Sequence, residues 1–230
     1  MSQTTILAVG AHIGDAQLTC GMLLAKHALA GNRVVIVDLT AGERGAPAGV
    51  PQDEFRAQNV ASAEAFAKAL GGVSVVFDIP DGELYPSKEL ELRLAAVMRA
   101  YQPGTLLCHW PKSMHKDHIA ASAISTNAGF YASLGSFPME LPPAPIRRTL
   151  FAENWEDAED FKPYCYFDVT EAFPVWKDAV RKLWLTEHSR DFKYLRYYEA
   201  LAITRGALVR ADYATAFAVE PHGMRMKQDL

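Results

Sequence analysis

Two short stretches of this 230-residue chain carry side chains that could hold a metal ion. His12 and Asp15 stand three residues apart where an apolar run gives way to a helical pattern. Far along the chain, His115, Asp117 and His118 fall within four residues of one another. Two imidazoles and a carboxylate drawn from separate loops make the donor set of a catalytic zinc site, whose three protein ligands leave a fourth position for water. A metal held in this way polarises a carbonyl and lowers the pKa of its water toward neutrality, which is hydrolase chemistry. The same spacing also suits a purely structural use, in which Asp15 and Asp117 cap the helices that follow them.

For the two stretches to meet, the chain must bring two distant loops to one crevice. Thr5–Gly10 is a short apolar run, followed by a polar turn and by Leu18, Met22, Leu23 and Leu24 at helical spacing, with Gly31 closing the helix. Val34–Leu39 reads as a second buried strand ending in the turn Thr40–Gly45. The alternation repeats: Glu54–Leu70 as a helix, Val73–Ile79 as a strand, Lys88–Tyr101 as a helix and Thr105–Trp110 as a fourth strand, with another helix starting near His118. Four such alternations predict an α/β fold, a single Rossmann-like domain over residues 1–230 whose mostly parallel sheet is covered by helices on both faces. Ligands of such sheets gather beyond the carboxyl ends of the strands where strand order reverses. In the commonest order the first and fourth strands flank that point, and the two His/Asp loops follow those two strands. Ser136–Arg147 is Pro-rich and reads as a surface loop, either a lid or an inert connection. Tyr164–Val169 is expected to be the last strand, with helices over Ala172–Glu187 and Phe192–Val209.

Composition sets outer limits. Half of the residues are hydrophobic and 22% are charged, the profile of a soluble globular protein. A formal net charge of -4 argues against nucleic acid or an anionic membrane as a partner, since both call for a basic face, and favours a small-molecule substrate. Cys20, Cys108 and Cys165 form no CxxC pair, so the expectation is a cytoplasmic protein without a disulfide framework. No run approaches the ~20 apolar residues that span a bilayer. The aromatic residues Trp176, Trp184, Phe192, Tyr194, Tyr197 and Tyr198 read as core packing rather than a sugar-stacking surface. Asp38, the acid at the end of the second strand, lends slight support to a nucleotide site, but a full GxGxxG pattern is absent. His109 reads as a buried imidazole bonded to the backbone, and His27 and His222 as structural or solvent-facing.

Taken together, these motifs resemble the PIG-L/LmbE-like family of zinc-dependent de-N-acetylases, which carry A-H-P-D-D after the first strand and H-x-D-H after a later one. Here the corresponding residues are Ala11-His12-Ile13-Gly14-Asp15 and His115-Lys116-Asp117-His118. Thr40-Ala41-Gly42-Glu43-Arg44-Gly45 is similar to the family's T-x-G-E-x-G. Weaker similarities at Phe167–Thr170, His188-Ser189 and Tyr213–Phe217 extend the resemblance over nearly the whole chain. The resemblance implies one zinc ion held by His12, Asp15 and His118, and removal of an acetyl group from an N-acetylated amino sugar or its conjugate. It further implies that Asp117 or His115 orients a neighbour or stabilises the oxyanion, that Arg56, Glu43 and His188 stand on the substrate side, and that the protein is a homo-oligomer.

One position departs from the family pattern. The first Asp of A-H-P-D-D is the family's general base, and Gly14 stands there in this chain. A positioned base contributes roughly 10²- to 10⁴-fold in rate. Two alternatives follow: Asp117, His115 or Glu43 acts as base on a different substrate, or the chain is a metal- and ligand-binding homologue with impaired catalysis.

Overall fold

The computed structural model of the chain describes residues 3–220. Its seven-stranded sheet has the order β3-β2-β1-β4-β5-β7-β6, with β1 (Thr5–His12), β2 (Arg33–Thr40), β3 (Val73–Ile79), β4 (Thr105–His109), β5 (Arg148–Ala152), β6 (Cys165–Asp168) and β7 (Ala214–Ala218). The first five strands pair in parallel, and β7 runs antiparallel to both β5 and β6. The central strands are apolar at most positions because both faces are covered. Ile6 and Ala8 of β1 pack into one core layer with Met22, Leu23, Phe66 and Trp176. The intervening Leu7 and Val9 point the other way and meet Leu94, Met98 and Ile124.

The helices are α1 (Asp15–Thr19), α2 (Gly21–Leu29), α3 (Gln52–Ala69), α4 (Lys88–Tyr101), α5 (Lys116–Ser133), α6 (Phe173–Val180), α7 (Trp184–His188) and α8 (Tyr194–Val209). Two helices expected as continuous are broken, one at Cys20 and the other across Arg181–Leu183. The latter break aims α7 away from α6 and toward the carboxyl end of β1. Tyr164–Val169 contains a strand that is not the last, because β7 follows it, and β5 was not anticipated. Three of the five residues of β7 are alanine, a weak strand former. β5 is a five-residue strand directly behind the Pro-rich segment.

That segment is not a lid. It joins the end of α5 to the start of β5, and Arg147 donates its backbone N–H to Gly104 O, just ahead of β4. The buried Arg99 guanidinium fastens it, donating to the carbonyls of Tyr131, Ala132, Leu134 and Leu141 at 2.6–3.2 Å. It therefore lies at the amino ends of the strands, opposite the histidines. Trp176 is fully buried and donates to Gln17 O, as a packing role requires. Among the described residues, no helix is long and apolar enough to cross a membrane. His222 lies outside the described residues.

Candidate metal centre

β1 and β4 are neighbours, and the strand order reverses between them. His12 is the last residue of β1, and His118 lies in the first turn of α5, which follows β4. The crevice at their carboxyl ends therefore receives both stretches. Gly14 turns the chain into α1 at φ 120, a conformation that L side chains rarely adopt. This turn swings Asp15 back under β1, where its Oδ2 accepts the His12 backbone N–H at 2.8 Å.

Around that oxygen the three expected ligands converge. Asp15 Oδ2 is 3.2 Å from His12 Nδ1 and 3.4 Å from His118 Nε2, and the donor atoms of the three residues all lie within 4.8 Å of one another. Tetrahedral zinc with bonds of about 2.0–2.1 Å separates its ligand atoms by about 3.3 Å. The two measured spacings fit a zinc-sized ion gripped by all three side chains.

Each histidine of the set is fixed from behind. His12 Nε2 faces Asp117 Oδ2 at 3.3 Å and Asp81 Oδ1 at 3.2 Å. His118 Nδ1 donates to Asp157 Oδ1 at 2.8 Å, and the other oxygen of Asp157 takes His109 Nδ1 at 2.9 Å. These contacts leave His12 Nδ1 and His118 Nε2 facing Asp15, the tautomers a cation needs. His109 is buried and accepts the Ala11 N–H at Nε2, 3.1 Å away, so the expected backbone bond is present along with a carboxylate partner. The rings of His109, His118 and His115 stack in a row, at centroid distances of 4.2 and 4.7 Å.

The charge balance favours a cation. Burial opposes the charged form of His12, yet Asp117, Asp15 and Asp81 together raise its pKa to about 12. His118 reaches about 10 against the same burial cost, through Asp15 and Asp157. Against burial, Asp157 is held down to about 2 by His109 and His118, and Asp117 to about 2 by His12 and Lys116. This collection of carboxylates retains positive charge as protons, and a divalent ion can take their place.

Asp117 and His115 do different work from each other. The buried Asp117 accepts Gly82 N–H at 2.8 Å and Lys116 Nζ at 3.0 Å, and the same oxygen that takes Gly82 faces His12 Nε2. His115, and not Asp117, caps α5: its Nδ1 accepts the Asp117 N–H at 3.2 Å. Nor is Asp15 a cap, since Gly14 holds that position. His115 also stands edge-on to His12 at 4.8 Å, and burial lowers its pKa, keeping it neutral near pH 7 with its proton on Nε2.

Glu43 and Arg56 come together beside the centre. Glu43 Oε1 accepts the Asp81 N–H at 2.8 Å, its Oε2 meets Arg56 Nη1 at 3.3 Å, and Arg56 Nη2 reaches Phe77 O at 3.0 Å. The pair anchors the loop that carries Asp81 and Gly82 against the histidines. His188 is not drawn in: it is exposed, stacked on Trp184 and bonded to Trp184 O at 3.0 Å. Asp38 is fully buried against Gln17 Nε2 at 2.8 Å and cannot reach a ribose, which removes the nucleotide reading's one support.

Sequence reasoning missed Asp81, Glu156 and Asp157. Asp81 follows β3, and the other two follow β5 within the turn Trp155–Asp157. Glu156 Oε2 is 3.8 Å from His118 Nε2. The carboxyl-end rule that placed His12 points to Asp81 after β3 as well, and it would have found Glu156 and Asp157 had β5 been read as a strand.

A β-carbon built on Gly14 would come within 2.4 Å of Leu185 Cδ2, the tip of a flexible side chain on α7 that would have to turn aside, and the φ of 120 itself disfavours any L side chain there.

Residues 7–129, just over half of the chain, match the family described as PIG-L: GlcNAc-PI de-N-acetylase. The chain belongs to this family. Members of the PIG-L family resembling this one are enzymes of more than one kind. A 4-oxalmesaconate hydratase from Pseudomonas putida KT2440 is 28% identical over 218 residues, 91% of this chain and 83% of that protein. The crystal structure of GalB, the 4-carboxy-2-hydroxymuconate hydratase from the same organism, shares the fold with a TM-score of 0.88 at 24% identity, covering 99% of this chain and 100% of that one. The N,N'-diacetylchitobiose deacetylase from Pyrococcus horikoshii does so with a TM-score of 0.81 at 20% identity, covering 95% and 84%.

Proposed function

We propose that this PIG-L family chain is a metal-dependent hydratase, adding water across a carbon–carbon double bond conjugated to the carbonyl of an oxo-carboxylic acid. The observation that carries the reading is that position 14 offers no acidic side chain, on backbone at φ 120 that disfavours one, beside the cluster of His12, Asp15 and His118. In amide hydrolysis the attacked carbon is bonded to the oxygen that the metal polarises, so the proton acceptor must stand at the metal's flank, where the family resemblance puts the residue replaced by Gly14. In conjugate hydration the attacked carbon lies two bonds further along the substrate, and the flanking base is dispensable. The 28% identity with a 4-oxalmesaconate hydratase over 91% of the chain supports the same reading.

In this reading His12, Asp15 and His118 hold the ion, and zinc bound there supplies Lewis acidity toward a substrate carbonyl. Asp157 and Asp117 keep the two imidazoles turned toward Asp15. His115, whose Nδ1 is occupied, offers an Nε2–H donor to the oxygen on which negative charge develops.

A second reading, acetyl removal from an N-acetylated amino sugar, is favoured by the three ligands together with the His115 donor, which serve an amide carbonyl equally well. Zinc-loaded protein offered 4-oxalmesaconate and, separately, N-acetylglucosamine decides between them. Loss of the conjugated absorbance, abolished in His118→Ala, is the expected result; acetate release alone selects the second reading. Turnover of neither leaves a ligand-binding homologue and overturns both.

A further inference from the structure

Glu156 has no assigned part so far. It sits in the turn after β5, next to the Asp157 that fixes His118, and its Oε2 is 3.8 Å from His118 Nε2. That nitrogen is the atom His118 would give to the metal. Glu156 is not part of the group of donor atoms that His12, Asp15 and His118 bring within 4.8 Å of one another, yet its Oε2 is close enough to His118 to reach a water beside it. The Glu156 side chain is largely buried, and it accepts no hydrogen bond from a protein donor among those of the described residues. By contrast Asp15, Asp81, Asp117 and Asp157 each accept a backbone N–H or an imidazole N–H. Glu156 is thus a carboxylate near His118 with neither oxygen bonded to a protein donor among the described residues, and it approaches from the β5 side rather than from the Gly14 turn.

We propose that Glu156 is the proton acceptor of the reaction, acting from the β5 side on the water that adds to the substrate. The inference rests on the metal-dependent reading above but on neither of its two substrates. In the hydration, an O–H bond of water breaks and its proton passes to Glu156 Oε2. The oxygen's electron pair forms the new C–O bond, and the pair of the C=C bond moves to the conjugated carbonyl as an enolate. Glu156 then returns its proton to the α-carbon, so that one water is added in all.

The test uses the full chain loaded with zinc for kinetics and with cobalt for spectroscopy, comparing wild type with Glu156→Gln. Three quantities are read: turnover of 4-oxalmesaconate, metal affinity by competition with a chelator, and azide affinity from the visible cobalt spectrum. The expected result is a kcat loss of about 10²- to 10⁴-fold with metal affinity held within about threefold. Azide binding should tighten by about tenfold or more, because a negative charge a few ångströms from the open coordination position has been removed. Unchanged azide affinity overturns the proposal, and so does a large loss of metal affinity, which would make Glu156 a ligand. The azide comparison needs no substrate. It therefore decides the role of Glu156 even if the protein hydrates nothing, and failure of the hydratase reading shows separately as zero wild-type turnover.

Discussion

Leu185 Cδ2 on α7 would lie 2.4 Å from a β-carbon on Gly14, so a residue from far along the chain packs against the turn that presents Asp15. The break across Arg181–Leu183 makes this possible by letting α7 leave the line of α6.

Restoring the family's acid at that turn should therefore fail. Gly14→Asp combines a positive φ with overlap against Leu185 and is expected to cost about 1–3 kcal/mol of stability without producing acetate release. Adding Leu185→Ala should recover part of that loss by removing the overlap. Thermal unfolding of the single and double variants checks this; a Gly14→Asp protein as stable as wild type would refute it.

Asp157 joins His118 and His109 through its two oxygens. Asp157→Asn keeps the size but replaces one acceptor with a donor, which must face an imidazole N–H. Metal affinity should fall by about 10- to 100-fold although no ligand has been touched. Chelator competition measures it, and an unaltered affinity would show that the two histidines need no support.

Glu43→Ala should loosen the Asp81 loop, since it strands both the Asp81 N–H and the Arg56 guanidinium. The expected cost is about 1–3 kcal/mol in denaturant unfolding. Faster hydrogen exchange should be confined to the segment around residues 80–83. Loss of turnover without either effect would instead return Glu43 to the role of a catalytic group.

Much of this centre was legible before any coordinates, because the chemistry of His12, Asp15 and His118 is written in residue types, and the parallel β-α alternation forces β1 and β4 together. Asp157 and Glu156 were not legible, because nothing local marks β5 as a strand: the Pro-rich segment before it reads as loop, and five residues are too few for a pattern. The ligands' supporting acids come from three different loops, so their roles depend on tertiary approach and leave no spacing to read. Glu43 and Arg56 are each expected from the sequence on the substrate side, but not as a pair, and their partners, Asp81 N–H and Phe77 O, are backbone atoms that a sequence cannot display. Leu185 was invisible for the same reason, being an ordinary apolar residue until the fold sets it against Gly14.

Asp38 gives the chain a dependence on alkaline conditions. Burial raises its pKa well above the usual 3.8, so the folded protein keeps a neutral acid where the unfolded chain ionises. Its contribution is complete below about pH 4 and is lost as pH climbs toward the folded pKa, at a slope of up to about 1.4 kcal/mol per pH unit. Asp38→Asn keeps the shape and can still accept from Gln17, so the variant should gain on wild type as pH rises from 4 to 8 in urea unfolding. Parallel stability curves for the two proteins would contradict this.

The ligand triad is tested most directly by elemental analysis of the purified full chain, wild type beside His12→Ala, Asp15→Asn and His118→Ala. One divalent ion per wild-type chain is expected, with a large loss of bound metal in each of the three variants. A wild-type protein that takes up no ion, or three variants that hold it as firmly as wild type, would contradict it.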